Sequence, residues 1–245
     1  MAAVSFWSPA LDLLYPPKCP GCGRGTNQAR RFCAPCADDI QPPRSPLCAV
    51  CGDPFAGAGP DHLCNRCLTC RPTFGLARAC ATYAAADSHT GPLKRALQRY
   101  KYAPDASLAP TLGHLMAEHC VFDLTQYDVL IPVPLHLTRL RWRGFNQAHL
   151  LAHQLARHAT LSIDPFALER VRATAPQVEL DDTARRRNVA RAFRVPDPAR
   201  VGDRRVLLID DVYTTGATAD ECSRTLRRAG AAHVDVLVLA RAVLS

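Results

Sequence analysis

"VLLIDDVYTTGAT", residues 206–218, runs an apolar strand into two adjacent carboxylates and then through a threonine-rich turn. Val206 to Ile209 are the continuous apolar run of a strand covered on both faces. Asp210 and Asp211 end it, and Thr214, Thr215, Gly216, Ala217 and Thr218 follow. Next, "TADECSRTLRRAG" places Ala219, Cys222 and Leu226 on one helical face and stops at Gly230. "HVDVLVLARAV" (233–243) is a closing buried strand. A buried strand, a loop, an amphipathic helix and a second buried strand form a βαβ unit of a parallel sheet.

Working outward, "PLKRALQRY" begins with Pro92 and spaces Leu93, Ala96, Leu97 and Tyr100 helically. "TLGHLMAEHC" (111–120) predicts a second helix, and "NQAHLLAHQLARHA" (146–159), capped by Asn146, a third. "DVLIPVP" (128–134) predicts a short strand stopped by its prolines. The fold class is α/β: a parallel sheet flanked by helices over 77–245, preceded by a small domain over 1–76. In such sheets ligands sit outside the carboxyl ends of the strands. Two of those ends carry unusual residues, Asp210-Asp211 and Pro132-Val133-Pro134.

The small domain is defined by cysteine. Nine of the twelve cysteines fall between residues 19 and 70, mostly in the pairs "CPGC", "CAPC", "CAVC" and "CNRC". In a C-x2-C turn both thiolates reach one tetrahedral Zn²⁺. Consecutive pairing gives one structural site from Cys19, Cys22, Cys33 and Cys36, and a second from Cys48, Cys51, Cys64 and Cys67. A cross-braced pairing satisfies the same spacing. Cys70 is a spare thiol, and His62 lies near enough in sequence to exchange with a cysteine of the second site. Closed four-thiolate sites hold a fold together and supply folding free energy. Cys80, Cys120 and Cys222 read as small core residues.

The chain has 245 residues and a net charge of +8, carried almost wholly by arginine; Lys18, Lys94 and Lys101 are its lysines. That balance suits phosphate-bearing partners and equally reflects a GC-rich genome. No run of 18 or more apolar residues occurs, so no membrane span is expected. The N-terminal stretch has no Lys or Arg before Lys18, which argues against a secretory signal. It reads instead as a short amphipathic helix. With thiolate ligands, the expected compartment is the reducing cytoplasm.

The turn after Asp211 leads into a helix N-terminus, where free N–H groups and the helix dipole favour a phosphate. The threonines add hydroxyl donors. The two carboxylates accept hydrogen bonds from hydroxyls, or hold Mg²⁺ through oxygen. A ligand with a phosphate beside a vicinal diol is a ribose 5-phosphate. A Walker loop is excluded because the chain has no Gly-Lys pair, and a serine-hydrolase elbow because G-x-S-x-G is absent.

The stretch resembles the phosphoribosyl pyrophosphate (PRPP) motif of type I phosphoribosyltransferases. The whole chain resembles the ComF family, through the cysteine knuckles, "GPLKRALQRYKY", "IPVPLHLTRLRWRGFNQA", "RVRATAPQVELDDTARRRNVARAF" and the PRPP motif. The resemblance implies a type I phosphoribosyltransferase-like sheet behind a double zinc ribbon. It implies that Asp210 and Asp211 hold the ribose hydroxyls and that Thr214–Thr218 hold the 5-phosphate. A pyrophosphate loop would run from Pro134 through Arg139, Arg141, Arg143 and Gly144. A mobile flap would span 172–193, with Arg172, Gln177, Arg187 and Asn188 as polar anchors. Thr214 stands where purine-salvage enzymes carry Asp, which argues against a hypoxanthine- or guanine-type acceptor. Nor does the chain begin with an amidotransferase cysteine, so glutaminase activity is not expected. The implied activity is transfer of a phosphoribosyl group from PRPP and Mg²⁺. The alternative is a non-enzymatic accessory protein for DNA uptake in natural transformation that binds single-stranded DNA, with Trp142, Phe145, Tyr100 and Tyr102 as candidate stacking rings.

Overall fold

The computed structural model describes residues 17–26, 31–84, 91–174 and 182–243. The expected N-terminal amphipathic helix and Gln177 lie outside these residues.

The zinc-ribbon segment carries two short helices, α1 (Ala34–Asp38) and α2 (Asn65–Thr69). Strand β1 (Ala77–Ala84) follows, then helix α3 (Pro92–Tyr102) and helix α4 (Ala109–Glu118). Next come β2 (Val129–Pro132), α5 (Leu137–Arg143), α6 (Gln147–Ala156) and β3 (Ser162–Ile163). A small hairpin pairs β4 (Glu169–Arg170) with β5 (Phe193–Arg194), and helix α7 (Asp182–Val189) lies between them in the chain. The chain closes with β6 (Arg205–Tyr213), α8 (Ala217–Arg228) and β7 (His233–Val243).

Five strands form one parallel sheet in the order β1-β7-β6-β2-β3. The centre is β6 and β7, the two strands read as continuous apolar runs, because both faces of each are buried. Alternate residues feed two cores. Val206 and Leu208 join Val234, Val236, Ala219, Cys222 and Leu226 on one side. Leu207 and Ile209 join Leu237, Leu97, Tyr100, Leu112 and Leu151 on the other.

Three boundaries differ from the sequence reading. Strand β6 does not stop at Asp210; it continues through both carboxylates to Tyr213, because β7 pairs with it as far as Arg241. Strand β2 is only four residues, since Val133 and Pro134 leave the sheet after a last hydrogen bond from Val133 N–H to Ile209 O. The expected pyrophosphate loop contains a helix, α5, with the His136 imidazole at its start and Gly144 at φ +79 as its left-handed stop.

The cysteines pair consecutively. Cys19, Cys22, Cys33 and Cys36 form one cluster and Cys48, Cys51, Cys64 and Cys67 the other, with each set of sulfurs within 4.8 Å. The pairs Cys22–Cys33 and Cys51–Cys64 are each 3.7 Å apart. A Zn–S bond of about 2.3 Å gives a tetrahedral edge of about 3.8 Å, so both sets fit zinc. Backbone N–H groups of Cys51 and Cys64 point at the Cys48 sulfur, and that of Cys33 at the Cys19 sulfur. His62 does not exchange into the second site; its ring stacks on Phe55 at 3.9 Å. Cys70 is exposed and accepts from Arg186.

The two ribbons pack on opposite sides of the sheet. Cys48, Cys51, Cys64 and Cys67 belong to the core that contains α8. Cys19 and Cys36 belong to the core that contains α3 and α4. Zinc therefore supports both cores. The full chain is expected to carry two zinc ions and to melt in one cooperative transition. Cys48→Ser, at a site supplying on the order of 10 kcal/mol of apparent folding free energy, should lower the melting point of the whole sheet by circular dichroism. A separate low-temperature transition of the ribbon alone would contradict this.

Candidate functional site

The carboxyl ends of β6 and β2 open onto a cavity of about 680 Å³. Asp210 and Asp211 lie in it, with Thr214 and Thr218 from the turn and helix after β6. Arg139 and Arg143 reach it from α5. These residues are distant in sequence until the parallel sheet sets the ends of β2 and β6 side by side, Pro132 against Ile209.

The carboxylates are not equivalent. Asp211 is buried and pairs with the Lys101 ammonium at 2.9 Å. The Asp211 N–H donates to Asp210 Oδ1 at 2.8 Å. Burial, and next the adjacent Asp211, push Asp210 up to about 7, against the pull of Lys101. Burial works against the Lys101 charge, but Asp211 and Asp210 outweigh it and hold the ammonium above its ordinary value.

The turn has a definite shape. Gly216 is the N-cap of α8 at φ +82. A Cβ there would overlap the Tyr213 hydroxyl, so glycine is required by the left-handed backbone and by the ring beside it. Gly216 brings no capping side chain; Ala217 N–H is taken up only by a long contact to the Thr215 hydroxyl, and the positive dipole end of α8 faces the turn. Thr215 and Ala217 are buried, and only Thr214 and Thr218 of the turn line the cavity.

Two arginines at the cavity have an unpartnered Nε. Among the described residues, three buried side-chain polar atoms lack a hydrogen-bond partner, and two are Arg143 Nε and Arg170 Nε. Both arginines line the cavity. Burial holds each guanidinium below its ordinary value. A buried, unsatisfied guanidinium N–H is costly, and guanidinium groups at a cavity pair well with phosphate oxygens.

Several expected residues stand elsewhere. Gly144 ends α5 and does not line the cavity. Arg141 is exposed, on the part of α5 that does not line it. Of the flap anchors, Arg172 donates to the carbonyls of Asn188 and Ala190, bracing the base of the segment. Arg187 and Asn188 do not line the cavity, whereas Arg170 and Arg185 do. Tyr100 is fully buried, its hydroxyl donating to Gln147 O, and Phe145 packs on it. Tyr100 is not available for stacking and Phe145 is half-buried; Tyr102 and Trp142 are about 60% exposed. Sequence reasoning missed Lys94, Lys101 and Arg170. The available signal for the lysines was their scarcity, since two of the chain's three line this cavity.

The double zinc ribbon domain family matches residues 10–71. "DNA utilization protein YhgH" of Salmonella typhimurium is 34% identical over 86% of this chain and 90% of its own length. "Competence protein F" of Haemophilus influenzae is 32% identical over 86% and 90%. "Competence protein ComFC" of Bacillus subtilis is 26% identical over 86% of this chain and 84% of its own. Among solved structures, an adenine phosphoribosyltransferase from Thermoanaerobacter pseudethanolicus matches 57% of this chain and 83% of its own, at 14% identity and a TM-score of 0.36. The fold and site define a parallel α/β protein with a double zinc ribbon ahead of it. The chain belongs to the ComF family.

The raised Asp210 makes a pH prediction. A carboxyl held above its unfolded value stabilises the fold fully only below the unfolded value near 3.8, and that stability is lost as pH rises to about 7. The unliganded protein should lose about 2–4 kcal/mol across this window. Asp210→Asn should flatten the loss in urea melts. An unchanged pH slope in that variant would place the titration elsewhere.

Proposed function

We propose that the chain binds PRPP as its magnesium complex and transfers the phosphoribosyl group to an acceptor, releasing pyrophosphate. The observation that carries this reading is one cavity holding the acidic pair, the phosphate-type helix start and two arginines, Arg143 and Arg170, with buried unpartnered Nε atoms. Thr214, Thr218 and the first-turn amides of α8 hold the 5-phosphate. Asp210 and Asp211 accept from the ribose hydroxyls. Lys101 offsets the charge of Asp211 and fixes its carboxylate. Arg139 and Arg143 take the pyrophosphate, with Arg170 and Arg185 closing over it.

When the C1–O bond to pyrophosphate breaks, the electron pair leaves with the pyrophosphate. Fixed guanidinium groups stabilise that developing charge. The acceptor then bonds to C1 and loses a proton. The two carboxylates suit the cationic ribose that forms between these events. Magnesium enters with the substrate, and oxygen-rich Asp210 and Asp211 suit a hard cation. One oxygen of each carboxylate is already engaged, that of Asp211 by Lys101 and that of Asp210 by the Asp211 N–H, so either would hold the ion through its other oxygen.

A second reading, single-stranded DNA binding, is supported by exposed Tyr102 and Trp142, the latter packed with the Arg143 guanidinium at 5.7 Å. The names of the relatives, DNA utilization and competence, favour the same partner. Domain limits of 1–76 and 77–245 and a cytoplasmic location belong to this proposal, the latter because eight thiolate ligands need a reducing compartment.

PRPP at about 100 times its Kd should stabilise the protein by roughly 2.7 kcal/mol, and only with Mg²⁺ present. Changing Asp210→Asn and Asp211→Asn together should abolish that thermal shift while ribose 5-phosphate still gives a small one. Full PRPP protection in the double variant would sink the reading. If DNA shares the cavity, replacing Arg139, Arg141 and Arg143 with Gln should weaken its binding. The log–log salt slope should then flatten by about 0.7 for each DNA phosphate that is no longer neutralised.

A further inference from the structure

The second zinc site is joined to the phosphate turn by buried contacts. Arg241, near the end of β7, is 1% exposed. Its Nη1 donates to Cys51 O at 2.7 Å, its Nη2 lies 3.7 Å from the Cys51 sulfur, and its Nε donates to Asp53 at 2.9 Å. A zinc ion with four thiolates carries two net negative charges, and Arg241 is a cation directly against one of those sulfurs. The other side of the guanidinium lies over the Tyr213 ring, 4.4 Å from its centre. The parallel register makes this contact, setting Tyr213 beside Arg241. Tyr213 in turn fills the space where a side chain at Gly216 would be.

A second thread runs in parallel. Arg66 lies between the ligands Cys64 and Cys67, and its Nη1 donates to Thr215 O at 3.3 Å. Just past this ribbon, Thr73 N–H donates to Asp220 Oδ1 in the first turn of α8 at 2.7 Å. The first zinc site packs on the other core, against α3 and α4.

We propose that Arg241 is a positioning residue that couples the second zinc site to the Thr214–Thr218 turn, so that zinc there and a 5-phosphate ligand bind cooperatively. The identity of the ligand rests on the function proposed above; the coupling of zinc to turn does not. Metal at Cys48, Cys51, Cys64 and Cys67 holds Cys51 in place, Cys51 and Asp53 hold Arg241, and Arg241 holds the ring that shapes the turn. A buried cation packed between the ribbon and the turn passes a bias from one to the other, and the coupling must be reciprocal. The zinc ribbon then works as the support of the ligand site. One zinc of the two answers to the ligand.

The test uses the full zinc-loaded chain. Zinc is titrated away with a buffering chelator, with and without saturating ribose 5-phosphate. The affinity of one zinc should rise about tenfold with ligand and the other should stay unchanged, within the usual range of such couplings. Arg241→Gln should remove this response, and Arg241→Lys should restore only part of it, because lysine lacks the planar fork. A ligand-free readout accompanies it: amide hydrogen exchange over 214–218 in Arg241→Gln with both zinc ions bound. Exchange should speed up about tenfold there and stay unchanged over 129–133, a range of coupling in keeping with a local packing contact. If Arg241→Gln fails to retain zinc, Tyr213→Leu keeps every ligand and the arginine and should give the same faster exchange. Faster exchange in a protein that binds no ribose 5-phosphate would uphold the coupling and sink the proposed function. Ligand binding that shifts both zinc ions equally or neither, or an unchanged turn in both variants, would overturn the coupling.

Discussion

The parallel pairing of β6 with β7 is the constraint on which the site depends. It buries β6 on both faces and carries the strand beyond its apolar run, through Asp210 and Asp211 to Tyr213. Two carboxylates are thereby delivered to the carboxyl edge of the sheet. The same register sets Tyr213 against Arg241, and so brings the ribbon to the turn. A one-residue slip would exchange the faces of every side chain and dismantle both arrangements.

Electrostatics then decides what the cavity accepts. Among the described residues, Lys101, Arg139, Arg143 and Arg170 line it together with the carboxylates Asp210 and Asp211. One of those carboxylates is already matched by Lys101. Arg139, Arg143 and Arg170 share the same lining, and the Nε atoms of Arg143 and Arg170 have no hydrogen-bond partner among the described residues. Beyond burial, the Arg139 charge holds the Arg143 and Arg170 guanidiniums down, a repulsion that the pyrophosphate of the proposed function would relieve. In that proposal the acidic pair is the place for the ribose hydroxyls.

Much of this is legible in the sequence because it is local. A β-strand, a threonine-glycine turn and a helix with a clear apolar face fall within 25 residues, and each C-x2-C turn forms its own half of a zinc site. The choice of consecutive pairing needs the structure, since spacing alone also allows cross-bracing. What the sequence hides is long-range. Lys101 reaches Asp211 only because α3 packs over the end of β6, and Arg170 enters the cavity from a two-residue hairpin strand with no periodicity to read. In sequence, Arg241 is one arginine among many, set in an apolar strand. Its role depends on a ribbon almost two hundred residues earlier, with Asp53 and Arg241 separated by 188 positions. The arginine-rich stretch 139–143 reads as a loop because arginine content carries no periodicity, yet α5 forms and turns Arg139 and Arg143 inward while leaving Arg141 exposed.

The proposal that one cavity holds both ends of a ribose 5-phosphate pyrophosphate is tested most directly by calorimetric titration of PRPP with Mg²⁺ into the zinc-loaded chain. One site per chain is expected, with PRPP displaced partly by ribose 5-phosphate alone, partly by pyrophosphate alone, and fully by the two together. An absence of binding, or PRPP binding that survives saturation with both fragments, would contradict it.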